Sequence, residues 1–201
     1  YALAFGDSLD VVKWMAEQHA RAVPHVGELL KPTLSRLRPH GAVSVQWNIQ
    51  PFELFGLAIA MDEGMMATSE PEEYRTVCDI IRDVNIELVK CVISAGADFV
   101  FVGGPGAEAA SPFIYEQFLV PDSRAISEAA HEAGGLVYSH ICSPVEPFLS
   151  AGYYNEMGFD LFETLSPPPV GNVADLGPVR RFLPRSMCTR GNSGLDVLLT
   201  R

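Results

Sequence analysis

Apolar strand-like runs alternate with amphipathic helical stretches along nearly the whole chain, and this rhythm limits the available folds more than any other feature. The clearest run, 97–103, is apolar throughout its interior. A short unbroken apolar run of this kind suits a strand buried on both faces of a parallel sheet. Runs at 41–47, 135–142, 161–165 and 186–190 read as four more strands. Helical sequence lies between them. Residues 10–23 carry Val11, Val12, Trp14, Met15 and Ala22 at helical spacing, and 26–37 contains Pro32, which predicts a kink or a split there. Ser69, Pro71 and Glu72 form a capping-box start. The helix that follows has Val77, Ile80, Ile81, Val84, Leu88, Cys91 and Val92 as its expected buried stripe and Gly96 as its stop. Further helices are expected at 121–133, closed by Gly134-Gly135, at 146–157 and at 173–182. Such alternation predicts an α/β protein of parallel βα units, either an open doubly wound sheet or a barrel.

The 201 residues, 48% of them apolar, suit a single domain, 1–201, with a substantial core. A formal net charge of −11 argues against nucleic-acid binding and disfavours adsorption to anionic membranes. No stretch approaches the roughly 18 consecutive apolar residues of a membrane helix, and no basic-then-apolar leader is visible. Four cysteines, at 78, 91, 142 and 188, show no CxxC spacing, which fits free thiols in a reducing cytoplasm. The chain opens without Met and stops at Arg201 just as 196–199 reads as the opening of a helix, so it is expected to be part of something longer.

Neither GxGxxG nor a Walker loop follows any strand, and Gly103-Gly104-Pro105-Gly106 has the wrong spacing for one. Polar and reactive residues instead collect at successive strand ends: Gln46 and Asn48, Gly103 and Gly104, His140 and Cys142, Glu163, then Arg190 and Asn192. That layout is the one a TIM-barrel active site has. His140-Ile141-Cys142 is the sharpest of these groups. Alternate strand residues share a face, so an imidazole and a thiol would stand about 7 Å apart at their Cα atoms, half of a tetrahedral zinc site. The competing reading of Cys142 is a small buried hydrophobe. Gln46 and Asn48 would bind substrate or satisfy barrel polar groups. Arg190 would meet a substrate carboxylate or bridge to Glu163. Cys188, early in its strand, is expected in the core, and His19, His25, His40 and His131 are not expected to be ligands.

At these residues the chain resembles the uroporphyrinogen decarboxylase superfamily. Gly96-Ala97-Asp98, Ser111-Pro112-Phe113 with Phe118 and Pro121, His140-Ile141-Cys142, Gly158-Phe159-Asp160 and Gly191-Asn192 follow in the family's order over roughly 40–199. The resemblance implies a (β/α)8 TIM barrel, of which this chain holds about the third to the seventh strands. One branch decarboxylates uroporphyrinogen III without a cofactor, using an Arg-rich loop that would precede Tyr1. The other, the cobalamin-dependent methyltransferases of the methylcobamide:coenzyme M type, carries His-x-Cys and a distant Cys on zinc. Similar zinc barrels add a Glu where Glu163 stands. The resemblance therefore favours the methyltransferase-like branch, with zinc on His140, Cys142 and Glu163 and a corrinoid, free or carried by a partner protein, as methyl donor. Glu163 and Asn192 are then the candidate catalytic groups, and Gln46, Asn48, Gly103, Gly104 and Arg190 the candidate substrate-binding ones. Two departures stand out. Ser143-Pro144 replaces the usual Gly after His-x-Cys, and the third Cys would fall beyond Arg201.

Three functions are consistent with this reading. They are zinc-assisted methyl transfer to a small-molecule thiol, cofactor-free decarboxylation of a porphyrinogen, and a non-catalytic corrinoid-associated barrel.

Overall fold

A computed structural model describes residues 5–46, 67–104 and 110–192. The chain opens with a 33-residue helix, α1 (Phe5–Leu37), and a 3-10 turn (Arg38–His40). Strand β1 (Ser44–Val45), helix α2 (Pro71–Ser94) and strand β2 (Phe99–Gly103) follow. A continuous helical run comes next: α3 (Pro112–Ile114), a π-helical turn (Tyr115–Leu119) and α4 (Val120–Glu132). After it come β3 (Leu136–Ile141), α5 (Glu146–Ala151), α6 (Tyr153–Glu156) and β4 (Leu161–Thr164). The last elements are α7 (Leu176–Val179), a 3-10 turn (Arg180–Phe182) and β5 (Cys188–Thr189).

The five strands among the described residues are all parallel, and their order in the sheet is their order in sequence. An open doubly wound sheet reverses direction at a switch point, whereas a barrel adds each strand beside the last. The alternative left open by the sequence is thereby settled in favour of a barrel wall.

The two faces of that wall are chemically different. Val100, Val102, Val137, Ile141 and Phe162 are buried under the helices. Phe99, Phe101, Tyr138, His140, Leu161 and Glu163 alternate with them, stand on the other face and are half-buried. In a closed barrel this second face lines the interior.

Two Gly-x-Asp segments fasten the lower edge of the sheet in the same way. Asp98, just before β2, accepts a hydrogen bond from the Val43 N–H at 2.9 Å, and Asp160, just before β4, accepts one from the Val137 N–H at 2.8 Å. Each aspartate also gives its own backbone N–H to the same residue's carbonyl, Val43 in one case and Val137 in the other. Arg38 and His131 complete the two carboxylates' surroundings. The helices are cross-tied as well. Asp122, fully buried in the first turn of α4, sits 2.6 Å from Arg75 and 3.5 Å from Arg82 of α2. Burial pushes the Asp122 carboxyl above its usual range, against the pull of the two arginines.

Several expected elements came out differently. The two helices expected at 10–23 and 26–37 are one, with Pro24 and Pro32 inside it. The carbonyls these prolines leave without a partner belong to Ala20 and Glu28, which are exposed, so water can satisfy them. The α2 N-cap is Glu70, without a side-chain cap, one residue beyond the expected Ser69. Its deepest residues are Tyr74, Val77, Cys78, Asn85, Val89 and Val92, because the helix packs against α1 on one flank and α4 on the other. The helix expected at 173–182 shrinks to α7 and a 3-10 turn. Asp175 caps α7 by accepting from the Gly177 N–H at 2.8 Å, and Gly177 and Pro178 follow at once, leaving little sequence suited to a long helix. Cys188, expected in the core, is exposed, since β5 has only two residues and one paired neighbour, β4.

Candidate functional site

The carboxyl ends of β3, β4 and β5 bring three of the expected residues together. In the sheet register Gly103 stands beside His140, and His140 beside Glu163. His140 Nδ1 lies 3.0 Å from Glu163 Oε1, and Arg190 Nη1 lies 3.2 Å from Glu163 Oε2. Glu163 is only 13% exposed while Arg190 is 77% exposed, so a sheltered carboxylate holds a half-buried imidazole on one side and an open guanidinium on the other.

The floor beneath this row is aromatic. Tyr138 precedes His140 by two residues on the same strand face, and Phe101 packs against both, at 5.3 Å from the Tyr138 ring and 6.4 Å from the His140 ring. Burial raises the Tyr138 pKa, the Glu163 charge adds to the rise, and a hydrogen bond with Ser44 and the Arg190 charge oppose it. The phenol therefore remains a neutral O–H at ordinary pH. Sequence reasoning passed over Tyr138 and Phe101 because it looked for reactive groups at strand ends. Their signal was parity, counting back by two from His140.

The other expected residues are less closely gathered. Cys142 follows the end of β3 and is exposed, and Gln46 is exposed after β1. Gly103 closes β2 with Gly104 just beyond. Asn48 lies outside the described residues. Asn192 donates its side-chain N–H groups to the Leu165 carbonyl at 2.8 Å and the Val173 carbonyl at 2.7 Å, clamping the loop after β4. Beside it Gly191 has φ +121°, and a Cβ there would run into the Thr164 carbonyl, so glycine alone fits. Of the histidines not expected to be ligands, His131 rests on Asp160 at 2.8 Å.

In its chemistry the trio of His140, Cys142 and Glu163 offers nitrogen, sulfur and oxygen donors, which suits zinc. Among the described residues, however, no three His, Cys, Asp or Glu side chains gather round one point where a metal could sit.

The family model for uroporphyrinogen decarboxylase (URO-D) matches residues 10–193. The chain belongs to the URO-D family. Its fold is that family's TIM barrel, seen here as a run of consecutive βα units. Among solved structures, this URO-D chain is similar to a methyltransferase from Methanosarcina mazei, at 17% identity and a TM-score of 0.70 over 85% of its length. It spans 48% of that protein, about half its length. No curated protein sequence matches the chain. No helix among the described residues is long and apolar enough to cross a membrane.

Proposed function

We propose that this URO-D chain forms part of a zinc-dependent methyltransferase that moves a methyl group from a corrinoid to a small-molecule thiol. The observation that carries the reading is the His140–Glu163 contact on the inner face of the sheet, with Cys142 two residues beyond His140. Likeness in fold to a methyltransferase supports the same branch of the family. His140 and Cys142 would hold the metal, with remaining donors from outside the described residues. Bound zinc would stabilise the acceptor thiol as its thiolate near neutral pH. A free thiol of pKa about 8.5 is only a few per cent ionised at pH 7. Phe101 and Tyr138 would floor the site and restrict water below the imidazole. Arg190, the most exposed cation in the row, would meet an anionic group on the acceptor.

Arg190 also favours a second reading, decarboxylation of a porphyrinogen, because an open guanidinium on the barrel's inner face can grip a substrate carboxylate. Metal analysis, both activity assays and a melting temperature for Cys142→Ala in the full-length protein separate the two. Zinc-assisted transfer predicts stoichiometric zinc, and loss of methyl transfer with the melting temperature nearly unchanged, since barrel strand-end residues serve chemistry more than stability. Full methyl-transfer activity in that variant would overturn the reading. Metal-free wild-type protein that decarboxylates a porphyrinogen would establish the second.

A further inference from the structure

The loop that follows β4 is a closed brace. Its ends meet where Val173 donates its N–H to the Ser166 carbonyl at 3.1 Å, and inside them Gly171 donates to the Pro167 carbonyl at 3.0 Å. A Cβ on Gly171 would collide with the Ser166 carbonyl, so this path of the chain depends on glycine there. Leu165 and Val173 anchor the loop in the core, and Asn192, just after β5, grips the carbonyls of both. On its other side the brace reaches the turn after β3. Asn172 Oδ1 accepts from the backbone N–H groups of Val145 and Glu146, at 3.0 and 3.2 Å. We infer that Asn172 is a positioning residue, which fixes the turn between β3 and α5 and so sets where Cys142 stands at the opening. The inference rests on the methyl-transfer reading for what Cys142 does there, and on the hydrogen bonds alone for how the turn is held.

The turn is short. Cys142, Ser143 and Pro144 bridge the gap between Ile141 and Val145, and both of those ends are buried. Ile141 is held by its pairing with Thr164 in the sheet, and Val145 by Asn172. Pro144 removes a further degree of freedom, because its ring locks φ. A bridge of this length leaves the exposed Cys142 little room to move while both ends hold. Taking away the Asn172 oxygen deprives the N–H of a buried residue of an acceptor, and a buried donor left unmatched favours rearrangement of the turn. Asn192 and Asn172 together link the loops after β5, β4 and β3 in one chain of hydrogen bonds.

The test uses the full-length protein with Asn172→Leu, which removes the acceptor, and Asn172→Asp, which keeps an acceptor oxygen. Asn172→Ala takes the place of Asn172→Leu if the latter does not fold. In chelator-treated protein a trifluoromethyl tag is placed on Cys142, the tag on exposed Cys188 serves as reference, and Cys142→Ser assigns the lines. Fluorine NMR is expected to show one narrow Cys142 line in wild type and Asn172→Asp. In Asn172→Leu that line shifts or divides while the Cys188 line stays put. Hydrogen exchange at the Val145 and Glu146 amides quickens about 10-fold in Asn172→Leu and recovers in Asn172→Asp. In untagged, metal-loaded protein, kcat for methyl transfer follows the same order, falling about 10- to 100-fold in Asn172→Leu. A Cys142 line that stays in place in Asn172→Leu would overturn the inference, as would Asn172→Asp spectra that match those of Asn172→Leu. Wild type that transfers no methyl group defeats the methyl-transfer reading instead, and the fluorine lines then decide the positioning of Cys142 by themselves.

Discussion

Asp98 and Asp160 each tie the start of one strand to the strand before it, and each does so by accepting from a backbone N–H. Val137 is fully buried, so Asp160→Ala would strand its N–H away from water, at a cost of about 1–3 kcal/mol in urea denaturation. Asp160→Asn, which keeps an acceptor oxygen, should recover most of that loss. Asp122 behaves in the opposite sense with respect to charge. Its folded pKa is raised above the ordinary 3.8, chiefly by burial. Between those two values the native state holds the proton more tightly than the unfolded chain, so stability falls as pH rises through that window. Unfolding free energies of wild type and Asp122→Asn, compared across pH, should therefore diverge to the disadvantage of wild type as pH climbs from about 3.8. Divergence the other way would mean that Arg75 and Arg82 outweigh the burial.

Elements here are delimited by local chemistry that a sequence exposes only in part. Gly152 separates α5 from α6 with φ +84°, and a Cβ at that position would meet nothing within 4 Å. Any cost of Gly152→Ala is thus backbone cost alone, expected to be about 1 kcal/mol and visible as a lowered urea midpoint with unchanged slope. The join is reinforced from the side, where Tyr153 donates to Glu116 of the π-helical turn at 2.6 Å and its phenol pKa is pushed up to about 12 by that carboxylate. Helix ends at Gly96 and Gly134 could be read directly, because glycine after a helical run is itself the stop signal. The passage of α1 through Pro24 and Pro32 could not. Whether a proline breaks a helix depends on whether water can reach the carbonyl it strands, and exposure is a tertiary property. The short β1 and β5 were likewise overestimated, because apolar character alone does not say how many residues find a strand partner.

Across the whole molecule, the parallel barrel wall was legible from the alternation of periods two and 3.6, and the cluster proposed as the site from the residues that close each strand. His140, Glu163 and Arg190 met as the strand ends suggested, because parallel strands in sequential order bring those ends to one rim. Asn192 sat at that rim too, yet its amide is engaged by two carbonyls of the adjoining loop, a demand set by loop geometry that no local pattern announces. The strict alternation along β3 has a further consequence for how this protein tolerates change. Val137, Ser139 and Ile141 point into the helical layer, whereas Tyr138 and His140 face the opening. A saturation scan of residues 136–141, scored once for cellular abundance and once for turnover, should give two combs of period two, offset by a single residue. Abundance would dip at 137, 139 and 141, and turnover at fixed abundance at 138 and 140. Selection on such a strand can rewrite one comb while leaving the other untouched, so new chemistry can be explored on this wall without first rebuilding what holds it up.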